Sequence, residues 1–200
     1  MELLFIFLAK RVKPTDSNLI KFNNLLVAQF NLQQRFIELI QREIEQAEQG
    51  NTAAITIKLN NLEEKVLIAK LYEASQAGVK INLIIRGICR LIPGVKGMSE
   101  HIKVNRIVDR YLEHGRVFVF HNQGKEEVYL GSADWMNRNI YRRIEVCFPI
   151  LGFHRIQAEI KSILKLQLAD NVKSVEINDK MINVPIVTKQ GTDPISISYL

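Results

Sequence analysis

Two short runs rich in β-branched residues, Ala54-Ile55-Thr56-Ile57-Lys58-Leu59 and Lys80-Ile81-Asn82-Leu83-Ile84-Ile85-Arg86, are separated by residues 60–79. Between them, residues 63–77 have the length and apolar spacing of a helix, and Gly78 supplies a stop. A gap of this size is too long for a hairpin and suits a helical crossover, which returns the chain parallel to its first strand. The β-α-β order therefore predicts an α/β domain with a parallel pair at its centre.

The flanks extend this pattern. Asn31 with Gln34 three residues on is a capping-box pattern, and Phe36, Ile40, Ile44 and Ala47 keep helical spacing up to Gly50. Gly87, Pro93, Gly94 and Gly97 mark a long loop, followed by a strand over 102–107 that leads into 108–112. Residues 116–120 and 127–130, split by a turn with Asn122 and Gly124, read as an antiparallel hairpin, so the sheet is expected to be mixed. A short helix near Trp135, a strand over 143–148 and a final helix over 153–168, with Ile156, Ile160, Ile163 and Leu164 on one face, complete the alternation. The expected division is an N-terminal helix and linker (1–30), one α/β domain (31–170) and an extended tail (171–200) draped over the surface. The apolar opening, residues 1–9, is too short to cross a bilayer, which takes about 20 residues. With Glu2 before it and Lys10-Arg11 after it, the run has its charges on the wrong side for a secretory signal. It reads as a helix whose packing partner lies elsewhere.

Composition bounds the function classes. With 47% hydrophobic and 24% charged residues, the chain is neither disordered nor fibrous. Cys89 and Cys147 form no metal spacing and no disulfide framework, which suits a reducing compartment. The formal charge of +6 is concentrated: residues 80–143 hold twelve basic and six acidic side chains, and the rest of the chain sums to neutral. A basic middle between balanced flanks favours an anionic partner.

Three features fall at expected strand ends, where open α/β sheets place their ligands. Arg86-Gly87 leaves an apolar strand with a guanidinium able to grip phosphate oxygens bidentately. His114 and Arg116, two apart, project from one face of extended backbone, and Gly131-Ser132 closes the paired strand. An imidazole, a cation and a small hydroxyl turn can surround a tetrahedral phosphoryl group. Arg142-Arg143 opens a strand, so at most one of the two faces any given pocket. His101, His121 and His154 have no partner pattern. There is no Walker loop, Rossmann fingerprint or zinc spacing. Trp135, Tyr129 and Tyr141 are read as a buried aromatic cluster in preference to a base-stacking platform.

The runs Ile57-Lys58-Leu59-Asn60-Asn61-Leu62, Leu71 through Val79, Ile85-Arg86-Gly87-Ile88-Cys89, Ile107 through His114, Tyr129 through Asn139, and Arg143-Ile144-Glu145-Val146 recur in the order and spacing of a known family. With Phe30-Asn31-Leu32, they resemble the last domain of bacterial polyphosphate kinase over nearly the whole chain. The resemblance implies a phospholipase-D-like mixed sheet flanked by helices. It further implies reversible transfer of the ATP terminal phosphoryl to inorganic polyphosphate through a phosphohistidine of the preceding domain, which nothing in this chain matches. Residue by residue, it implies that His114 is catalytic, with ATP or phosphate contacts at Arg86, His114 and Arg143. Arg116 and Ser132 would support them, and Lys58 and Asn60 match family positions without an assigned role. The family's partners would be ATP or ADP, polyphosphate, the preceding domain and a second copy of the full-length protein, with nucleic acid not expected. Magnesium is implied for the full enzyme with ligands outside this chain, in the cytoplasm or at the membrane periphery. The superfamily's phosphodiesterase motif has lysine where this chain has Arg116, which weighs against a phosphodiesterase using His114. A non-enzymatic polyanion-binding module is the other alternative.

Overall fold

The computed structural model describes residues 5, 8, 9, 22–110, 113–186 and 193–196. Its central strands are those the sequence requires. β2 (Ala54–Leu59) and β3 (Lys80–Ile85) pair in parallel, joined by helix α2 (Lys65–Gln76). Glu64 starts α2, its carboxylate accepting from the main-chain N–H groups of Val66 and Leu67. β4 (Ile102–Ile107) adds parallel to β3. On the other side of β2, β5 (Arg116–Phe120) and β6 (Glu127–Gly131) form the expected antiparallel hairpin. The described strands make one mixed sheet of nine, in the order β1-β7-β6-β5-β2-β3-β4-β8-β9, where β1 is Leu26–Val27, β7 Val146–Pro149, β8 Ser174–Ile177 and β9 Asn183–Pro185.

Alternation along the strands divides the core in two. Ile55, Ile57, Leu59, Phe118 and Phe120 face α2 and helix α1 (Leu32–Glu48), whose Phe36, Leu39 and Ile40 are buried against them. Phe36 lies 4.4 Å from Phe118 and 5.3 Å from Trp135 between ring centroids, so Trp135 is a core residue. Tyr129 is buried beside it, whereas Tyr141, expected in the same cluster, is exposed and donates to Glu64. The opposite face, with Ile84, Val117, Val119 and Val128, is covered by Leu164 of helix α4 (His154–Ala169).

Several expectations need correction. Asn31 stands at the N-cap of α1, but its side chain makes no cap bond there. Its side chain accepts from Val27 N at 2.7 Å and donates to Leu25 O, tying down the turn before the helix. The strand expected from Arg143 begins only at Val146, because helix α3 (Asn137–Tyr141) ends in a C-cap at Arg142 and Arg143 lies in the following loop. Arg142 and Arg143 therefore do not alternate across a strand. Residues beyond 170 do not simply drape over the surface: β8 pairs antiparallel with β4, and β9 with β8. Of the N-terminal segment, Phe5, Leu8 and Ala9 are helical, and Phe5 and Leu8 are exposed; the rest of residues 1–21 lies outside the described residues.

Candidate functional site

The carboxyl ends of β2 and β3, the start of β5 and the end of β6 meet at one end of the sheet. Here the structure gathers Lys58, Asn60, Arg86, Glu113, His114, Arg116 and Asp134. Arg86, leaving β3, meets a neighbour at each of its guanidinium nitrogens. Nε donates to Asn60 Oδ1 at 2.7 Å, Nη1 to the main-chain carbonyl of Glu113 at 3.3 Å, and Nη2 approaches His114 Nδ1 at 3.2 Å. Gly87 lets this turn close onto residues 60–61: its N–H donates to Asn60 O at 2.7 Å, and a Cβ there would lie 2.6 Å from Asn61 Oδ1.

Arg116 is more fully occupied. Its Nε and Nη2 donate to the two carboxylate oxygens of Asp134 at 3.1 and 3.2 Å. Nη1 donates to His114 O at 3.0 Å, and Nη2 also reaches His114 Nε2 at 2.7 Å. Asp134 is buried and accepts in addition from Asn60 N and Asn61 Nδ2. Burial alone would raise its carboxyl, but hydrogen bonding and charge from Arg116, with the amides of Asn60 and Asn61, outweigh it and hold the group below the usual carboxylate range.

A neutral imidazole has one acceptor nitrogen and an imidazolium has none. The two guanidinium approaches to His114 therefore cannot both be hydrogen bonds. Whichever ring nitrogen carries the hydrogen, one contact sets donor against donor, either Arg116 Nη2 at Nε2 or Arg86 Nη2 at Nδ1. Desolvation, then the charges of Arg116 and Arg86, push the His114 pKa down, and Asp134 offsets only part of this. One ring N–H of His114 and one guanidinium N–H thus meet with no shared acceptor among the described residues. An anionic oxygen seated beside such a pair, within reach of both nitrogens, accepts from both.

Ser132 adjoins this group through the pairing of Arg116 with Gly131. Its hydroxyl donates to Glu145 and accepts from Val146 N, while Asn139 donates to the other Glu145 oxygen at 2.6 Å. Gly131 is required by close approach, since a Cβ there would lie 2.0 Å from Cys147 Sγ. The Arg143 carbonyl accepts from Gln29, its side chain is exposed, and among the described residues no hydrogen bond or ion pair joins its guanidinium to Arg86 or His114. Glu113 and Asp134 were not singled out from the sequence; carboxylates beside a basic cluster are the signal that could have found them.

These residues do not fit a magnesium site. Both Asp134 oxygens are engaged by Arg116 and both Glu113 oxygens by Lys58 and Gln167. Among the described residues no group of three or more His, Cys, Asp or Glu side chains is placed to hold a metal. No helix among them is long and apolar enough to cross a membrane.

Residues 25–196 match the family described as polyphosphate kinase C-terminal domain 2. The chain is 51% identical over 157 residues to a polyphosphate kinase of Bacillus anthracis, covering 78% of this chain and 22% of that protein. It is 50% identical over 164 residues to one of Vibrio vulnificus (strain YJ016), covering 82% and 23%. The crystal structure of polyphosphate kinase from Porphyromonas gingivalis superposes with a TM-score of 0.89 at 42% identity, over 98% of this chain and 29% of that one. Nuc from Salmonella typhimurium, a phospholipase D family member, shares the fold with a TM-score of 0.55 at 12% identity, over 77% and 97%. The chain spans about a quarter of the length of the kinases it matches.

Proposed function

This chain belongs to the polyphosphate kinase family, matching its C-terminal domain, and we propose on that premise that its strand-end cluster binds phosphoryl oxygens of ATP and inorganic polyphosphate within the longer enzyme. The observation that carries the reading is the pair of guanidinium nitrogens on the His114 ring, Arg86 Nη2 at 3.2 Å and Arg116 Nη2 at 2.7 Å, of which the ring can accept from only one. With Nε2 accepting across the shorter contact, a phosphoryl oxygen seated beside Arg86 Nη2 and the Nδ1–H accepts from both, and the Arg86 charge neutralises what develops on it during transfer.

In this reading His114 is a hydrogen-bond donor and not the nucleophile. Its Nε2 lone pair is taken by Arg116, and its low pKa keeps it neutral with Nδ1–H available. The attacking imidazole comes from the preceding domain: its nitrogen forms the bond to the γ-phosphorus, and the bond to the ADP oxygen breaks. A terminal oxygen of polyphosphate then displaces that imidazole. Arg116, bonded to Asp134 and to His114, positions the imidazole. Arg143, exposed and two residues from the Glu145 that binds Ser132, is proposed as a further phosphate contact at the same end of the sheet. Magnesium would supply further charge neutralisation in the longer enzyme.

Calorimetric titration of this chain with ATP and with inorganic tripolyphosphate tests the assignment. Wild type is expected to bind tripolyphosphate, with Arg86→Ala and His114→Ala each weakening it at least tenfold, about 1.4 kcal/mol. Unchanged affinity in both variants overturns the site. Binding that survives both and collapses steeply with salt would instead favour a diffuse polyanion-binding surface.

A further inference from the structure

The main-chain carbonyl of Glu113, directly before His114, accepts from Arg86. Its carboxylate holds Lys58 Nζ with one oxygen and accepts from Gln167 Nε2 with the other. Three elements thus converge on one residue: β2 through Lys58, the end of β3 through Arg86, and α4 through Gln167. Lys58 stands opposite Ile84 and Val117 in the strand register, on the sheet face that α4 covers, and its side chain is only 8% exposed.

Stability alone does not account for these polar groups. A buried ammonium is expensive to desolvate, and an apolar side chain of similar volume commonly does as well at such a position. Burial lowers the Lys58 pKa in spite of Glu113, and Arg86 lowers it further. Gln167 is also buried, and its Oε1 has no hydrogen-bond partner among the described residues, an arrangement that a leucine would avoid. What the three groups provide in common is a fixed place for Glu113, and so for the backbone that presents His114 between Arg86 and Arg116.

We infer that Glu113 is the positioning residue of this site, held by Lys58 and Gln167 so that the His114 ring meets Arg86. This gives Lys58 a role in the register of the site and gives α4 a direct link to it. The inference rests on the phosphate-binding reading for its ligand, but its geometry stands independently of it.

Glu113→Gln separates positioning from simple charge. Removing a negative charge from a basic site strengthens anion binding by field alone, whereas loss of position weakens it. The experiment measures tripolyphosphate affinity by calorimetry and the His114 ring nitrogen and proton resonances by NMR without ligand. The variants are Glu113→Gln, Lys58→Met and the two combined. The expected results are about tenfold weaker binding in Glu113→Gln, shifted His114 ring resonances in every variant, and a combined variant that is more thermostable than Glu113→Gln but binds no better. Affinity equal to or above wild type in Glu113→Gln, or unshifted ring resonances, overturns the inference. If wild type binds no tripolyphosphate, the phosphate reading fails, and the ring resonances alone decide the role of Glu113. Should Glu113→Gln not fold, Lys58→Met, which keeps the stem volume, gives the same readouts.

Discussion

Replacing Asp134 by asparagine keeps the shape of the side chain and removes its charge. The side chain of Asp134 is 4% exposed and that of Arg116 12%, so solvent cannot replace the lost partner. The carboxylate accepts two bonds from the guanidinium, at 3.1 and 3.2 Å, and two more from Asn60 N and Asn61 Nδ2, at 2.9 and 3.2 Å. Asparagine keeps one oxygen, and its NH2 must face a donor. Breaking a buried ion pair from one side costs about 3–5 kcal/mol. At about 2–4 °C per kcal/mol for a chain of this size, the melting temperature should fall by about 6–20 °C. The acid limb supplies a second signature. Because the folded-state pKa of Asp134 lies below its unfolded value, its contribution is fully present above an unfolded pKa of about 3.9 and is lost as pH falls through the folded pKa. The stability curves of wild type and Asp134→Asn should therefore converge at low pH. Urea denaturation between pH 3 and 7 measures this. A loss under about 1 kcal/mol at pH 7, or parallel curves down to pH 3, would refute the argument that this pair holds the end of the sheet.

Gly131→Ala should destabilise by about 1–3 kcal/mol through overpacking against Cys147. Adding Cys147→Ala should restore part of this in thermal denaturation, because Val146 O at 3.0 Å still crowds the new methyl. The two thiols should resist aromatic disulfide reagents at pH 8 in the native protein and react fully in guanidinium. Burial raises the Cys89 pKa and pushes that of Cys147 up to about 12; rapid native labelling of Cys147 would contradict its placement.

The parts of the fold legible in the sequence are those fixed by local pattern. The crossover from β2 to β3 follows from strand composition and a helix-length interval, and the β5–β6 hairpin from a short polar turn. What escaped depends on partners far along the chain. Arg143 looked like the start of a strand, yet the segment joins the sheet only from Val146, with Ala28 N donating to Glu145 O and Gln29 to Arg143 O. β8 and β9 are short, and Pro185 sits in one of them; they exist because β4 offers an edge to pair with. Within the site, the two-residue spacing of His114 and Arg116 correctly placed them together. The register that brings Asp134 to Arg116 and Glu113 to Lys58 is a property of the assembled sheet, and no local motif announces it.

Arg106 on β4 donates to Ile85 O, to Gly87 O at 2.7 Å and to Asn183 Oδ1 at 2.9 Å, which fastens the last strands to the turn carrying Arg86. During synthesis from the amino end, Arg86 and His114 leave the ribosome long before Gln167 and Asn183. The end of the sheet that carries Arg86 and His114 must then wait until β9 has been made before its geometry sets, so a message cut short after α4 would yield both residues without this brace.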